Sequence, residues 1–144
     1  MSNSASAPFW QSIAIVVGRL IFAVMFIMAA GFKFAGMDGT AGYIAAAGFP
    51  IPLFLAWVAA IFESLLALAF LTGAFFCEAS LLGAAYVLFL AIAFHGPSHW
   101  TIQLEFGAFV SHFPFAAGLL FAAVHGPGGV LALRQTIIGR PRQS

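Results

Sequence analysis

The sequence predicts an all-α membrane protein, a four-transmembrane-helix bundle with a short interfacial helix between its first and second spans. Three observations predict it. The 144-residue chain is 63% hydrophobic and 6% charged, with five Lys or Arg and four Asp or Glu, whereas a water-soluble domain carries roughly 25% charged residues. Four apolar stretches supply the ~20 helical residues needed to cross ~30 Å of hydrocarbon. Glycine- and proline-marked segments separate the first from the second and the third from the fourth. The length fits one domain over residues 1–144, with lipid covering most of its surface.

The first span is expected over about residues 11–35 and ends in the connection GMDGTAGYIAAAGFPIP, within which Thr40 to Ala47 form the short interfacial helix. The second span covers about 53–75, and a tight connection at Cys77 and Glu78 leads to the third, about 79–94. Gly96 and Pro97 break the third helix. The fourth covers about 104–124 and stops at HGPGG, with Pro114 placed to kink it.

Arg134, Arg140 and Arg142 in the tail place the C-terminus in the cytoplasm. Four crossings return the N-terminus to the same side of a bacterial cytoplasmic (inner) membrane. The N-terminal MSNSASAPFWQS lacks a basic region, so the first span is expected to be retained rather than cleaved as a secretory signal. A net charge of +1 without any basic-aromatic patch argues against nucleic acid as a partner. A single cysteine, Cys77, excludes an intrachain disulfide and a cysteine metal cluster.

The polar residues inside the apolar runs are the functional candidates, because an ionisable group in hydrocarbon is costly and faces a partner, a cavity or a ligand. On the first helix Arg19, Phe26 and Lys33 are seven apart and share a face. Arg19 is read either as a snorkelling anchor or as an ion-pair partner of Glu63. Lys33 and Trp100 are read as helix-end anchors. Glu63 sits near the middle of the second helix, too deep for its short side chain to reach water. Ala56, Ala59, Ala60 and Ala67 on its side mark a face that looks into the bundle. It is either a helix-packing group or a proton-handling or ligand-binding carboxyl.

Glu105 and His112 share a face of the fourth helix, and His112 lies at a depth similar to that of Glu63. With His95 and His99, these residues are expected to line one outward-opening pocket. Imidazole and carboxylate suit a transition metal, but the spacing is no metal signature and no metal is assigned. His125 is read as capping carbonyls at its helix end. Phenylalanines can line a flat pocket for a quinone-like ring, though composition alone does not show one. No motif for a bound haem, flavin or iron–sulfur centre is present.

Four stretches carry a resemblance: GRLIFAVMFIMAAGFKF at 18–34, AGYIAAAGFPIP at 41–52, Glu63 within ESLLALAFLTGAF, and AAGLLFAAVHGPGGVLAL further on. In their order and spacing they resemble the DoxX family of small four-helix bacterial membrane proteins. The resemblance covers nearly the whole chain, carries Gly18, Arg19, Gly31, Lys33 and Glu63 onto the family pattern, and implies a four-helix bundle in the cytoplasmic membrane. It further implies association with membrane redox systems, often as a subunit. The chain departs where the family's fourth helix has a Phe-x-Lys-Asn element. Here Phe109, Val110, Ser111 and His112 stand instead, so His112 replaces that lysine or the member has drifted to an assembly role.

Three functions follow as expectations. The first is a membrane subunit of a quinone-linked oxidoreductase with a pocket near Glu63 and His112, its redox centre supplied by a partner. The second is a non-catalytic accessory subunit packed against a larger membrane complex. The third, a carrier or channel, needs an oligomer to form a path.

Overall fold

The structure, a computed structural model, describes residues 9–133 and 135–138. Five α-helices account for most of them: α1 (Phe9–Ala35), α2 (Met37–Ala46), α3 (Pro52–Thr72), α4 (Phe76–His95) and α5 (Gln103–His125), with one 3-10 turn at Pro97–His99. There is no strand among the described residues. All but α2 are long and apolar enough to span a bilayer. Helix α2, of ten residues, begins three residues before the expected Thr40. Arg134, Arg140 and Arg142, on which the expected orientation rests, lie outside the described residues.

The helix limits follow from local chemistry. Pro52 opens α3, where its missing N–H and fixed φ suit the first turn. Gly73 closes α3 at φ 74° and donates its N–H to the Ala69 carbonyl, a left-handed cap that favours glycine. The Gly96–Pro97 pair stops α4 as expected. Helix α5 continues through Pro114 to His125.

Helix α1 packs on α3 and α4 on α5, while the α3–α4 contact joins the two pairs. Phenylalanine rings fill the centre. Phe26 stacks on Phe70 with centroids 5.7 Å apart, and Phe22 lies 5.4 Å from Phe70 and 5.5 Å from Phe115. Helix α4 meets this centre with a face of small residues, Ala79, Ser80, Gly83, Ala84 and Ala91, all buried. Small side chains let helices approach closely where lipid offers no hydrophobic drive for association. A Cβ on Gly83 would lie 3.4 Å from Leu119 Cδ1 and 3.5 Å from the Phe26 ring. Gly83→Ala is therefore expected to be tolerated. Gly83→Val should cost about 1–3 kcal/mol through overpacking, read as a lower unfolding temperature in detergent.

The segment after α5 returns to the bundle. Leu133 N–H donates to the Thr72 carbonyl at 2.9 Å and Phe75 N–H to the Gln135 carbonyl at 2.6 Å. Glu78 Oε1 accepts from Thr136 Oγ1 at 2.7 Å and from the backbone N–H groups of Ile137 and Ile138. The connection at Glu78, expected only as a tight turn, is thus the dock for the C-terminal segment.

Candidate functional site

Glu63 is 1% exposed and is paired, but with neither of the partners expected for it. Its Oε1 accepts a hydrogen bond from Lys33 Nζ at 2.8 Å and another from the Tyr86 hydroxyl at 2.8 Å. Oε2 is buried and has no hydrogen-bond partner among the described residues. Lys33 is therefore the ion-pair partner of the buried carboxylate, which corrects its reading as a helix-end anchor. Arg19 is not that partner.

Arg19, 4% exposed, stands at the other end of the bundle and neither snorkels nor pairs with an acid. Its guanidinium donates to five backbone carbonyls. Those of Phe70 at 3.2 Å and Leu71 at 2.9 Å belong to the last turn of α3, and those of Pro127, Val130 and Leu131 at 3.3, 3.0 and 2.9 Å belong to the C-terminal segment. A cation at a helix C-terminus is favoured by the unpaired carbonyls there. Arg19 is accordingly a structural clamp and leaves the candidate site.

Beside the Glu63 cluster lies a cavity of about 410 Å³ bounded by all five helices. Lys33 and Tyr86 line one part and His95 and His112 another, with Phe62, Phe89 and Phe94 among the walls. Glu63 is not in the lining. It stands behind Lys33 and Tyr86 and holds both. Lys33 Nζ has two further N–H groups to donate, and the Tyr86 oxygen, whose O–H donates to Glu63, can still accept a hydrogen bond.

The histidines are held at one ring nitrogen each. His112 Nδ1 lies 2.6 Å from the Ala108 carbonyl, so Nδ1 carries the proton and Nε2 remains an acceptor in the neutral ring. His95 Nδ1 is 2.9 Å from Glu105 Oε2, and the two imidazole centroids are 5.2 Å apart. His112 therefore neighbours His95 rather than bonding to Glu63. Trp100, expected as an anchor at the membrane surface, donates Nε1–H to the His95 carbonyl at 2.9 Å and fixes the end of α4. His125 Nδ1 bonds the Phe121 carbonyl at 2.8 Å, a cap of the expected kind.

The single pocket expected around Glu63, His95, His99, Glu105 and His112 divides in two. His99 and Glu105 line a second cavity, of about 390 Å³, with Ser98, Thr101 and Ile102. Tyr43 and Phe94 border both cavities and stack at 5.2 Å. Burial, and then the Glu105 carboxylate, push the Tyr43 hydroxyl above its usual pKa. Among the described residues no three His, Cys, Asp or Glu side chains converge as a metal-ligand set.

The sequence profile of the DoxX family matches residues 14–96. The chain belongs to the DoxX family. Comparison with curated proteins gives no match, nor does comparison with solved structures. In this DoxX protein the matched stretch takes in Lys33, Glu63, Tyr86 and His95, while Glu105 and His112 on α5 lie beyond it. Tyr86 is the site residue that sequence reasoning missed. The signal was present, since the chain has only two tyrosines and Tyr86 falls mid-span among apolar residues, where a hydroxyl needs a partner.

Proposed function

We propose that this DoxX protein is an integral subunit of a quinone-linked redox system and that the 410 Å³ cavity receives the quinone ring. The observation that carries the reading is the placement of polar groups around an aromatic-walled space. Lys33 and Tyr86, both held by Glu63, form one polar group in its lining, and His95 and His112, with centroids 5.2 Å apart, form a second. Small-molecule sites are mostly apolar, ~300–1,000 Å³, with a few placed polar groups. A quinone has a flat apolar body and two carbonyl oxygens at opposite edges, so it needs donors on two sides. Lys33 supplies N–H donors in one polar group and the imidazoles supply proton-exchanging groups in the other. A bound quinone takes up two electrons and two protons.

In this reading the electrons come from a partner subunit, because the sequence has no motif that ligates a haem, flavin or iron–sulfur centre. The protein lies in the bacterial inner membrane with both termini cytoplasmic, so the cavity and the His95–Trp100 turn face the outer side.

The test uses the full chain in nanodiscs and a short-tailed azido-ubiquinone as probe. Saturable binding is expected, with photolabelling of peptides containing Tyr86 or Phe94. Tyr86→Phe and His112→Ala are each expected to weaken binding about tenfold, or ~1.4 kcal/mol. Labelling confined to lipid-facing residues, without saturation, would sink the reading.

A further inference from the structure

The two cavities are separate, yet one side-chain pair belongs to both. His95 lines the 410 Å³ cavity, the inner one, Glu105 lines the 390 Å³ cavity at the exposed α4–α5 connection, the outer one, and they meet at 2.9 Å between Nδ1 and Oε2. The Tyr43–Phe94 stack forms the wall beside them. His112, which lines only the inner cavity, lies one ring away from His95. The outer cavity is bordered by polar groups on the connection between α4 and α5, Ser98, His99 and Thr101, all three exposed.

The geometry points to the Glu105–His95 pair as a proton relay that joins the outer cavity to the inner one. Imidazole is suited to this because its two nitrogens act on opposite edges of the ring. Glu105 takes a proton on the outer side and gives it to His95 Nδ1. The imidazolium so formed releases its Nε2 proton to the inner cavity. One proton enters and one leaves, and His95 ends neutral with its hydrogen on Nδ1. A turn of the neutral ring about its side-chain bonds then brings that N–H to the inner cavity and the free Nε2 to Glu105, ready for the next proton, so delivery is net inward.

The ionisable groups around His95 are compatible with this traffic. Glu105 and His112 contact it from α5, Tyr43, Lys33 and Tyr86 share its cavity from α2, α1 and its own helix, and His99 lines the other cavity from the following turn. Glu105 Oε2 lies within hydrogen-bond distance of His95 Nδ1, and the Lys33 charge is matched by Glu63. The relay deepens the quinone reading, since it gives that site its proton supply, but its proton movement is measurable without any quinone.

The experiment follows proton exchange at the His112 ring by NMR, using the full chain labelled with 15N-histidine in nanodiscs. Wild-type exchange is expected to be fast. Glu105→Gln, which keeps the volume and a hydrogen-bond acceptor, should slow it at least tenfold. His95→Gln should do the same by a different substitution. His99→Gln, which alters the outer cavity but not the relay, should leave the rate unchanged. Exchange at His112 that is unaffected by both Glu105→Gln and His95→Gln overturns the relay. The azido-ubiquinone measurement is separate, so absence of quinone binding with slowed exchange in Glu105→Gln leaves the relay standing and removes only its use.

Discussion

Lys33→Met is expected to lower stability by about 3 kcal/mol, because removing one member of a buried pair leaves the other charge uncompensated. Glu63 cannot relax to water at 1% exposure, and Tyr86 alone then faces its Oε1. Glu63→Leu should have a comparable effect by leaving an ammonium against an apolar cavity wall. The double variant Lys33→Met/Glu63→Leu should recover most of the loss, since a buried ion pair replaced by packed apolar groups is often neutral. Unfolding in mixed detergent, arranged as a double-mutant cycle, reads the coupling directly. If the double variant loses as much as the two singles together, the pair is not coupled and the assignment of Lys33 fails.

The second large effect is at Arg19. Arg19→Met is expected to cost about 3 kcal/mol or more, since a buried carbonyl left without a donor costs about 1–3 kcal/mol and Arg19 serves five of them. Arg19→Lys should rescue little of this, because an ammonium has three donors on one point and cannot spread across carbonyls from two segments. The specific signature is local. Hydrogen exchange and protease cleavage should rise within residues 126–138 well before the helices respond. Uniform loosening of all helices with no preference for that segment would contradict the clamp.

The four spans, the short α2 and the helix stops were readable from apolar length, glycine and proline, because those signals are local. The pairing of Glu63 was not, and the reason is stagger. Matching depths from the ends of the first two spans assumes that the spans start level. Lys33 lies two residues from the end of α1, whereas Glu63 lies eleven residues from the start of α3, a difference of about 13 Å at 1.5 Å per residue. Helix α2 and the turn after it take up part of that offset. The rest is closed by side-chain direction, since side chains lean toward their own helix N-terminus. In antiparallel α1 and α3, Lys33 leans into the bundle and Glu63 leans out to meet it. Arg19 was unreadable for another reason, as its partners are backbone carbonyls and carry no sequence signature.

The clamp at Arg19 also sets an order of assembly. Three of its five acceptors lie at Pro127, Val130 and Leu131, within the final stretch of the chain. During synthesis the first helix enters the bilayer long before those residues leave the ribosome, and its guanidinium has at most the end of α3 to bind. The clamp can close only once residues 127–131 have been made. A chain ended before Pro127 leaves the Arg19 guanidinium with only the Phe70 and Leu71 carbonyls and the rest of its donors unmatched in the membrane.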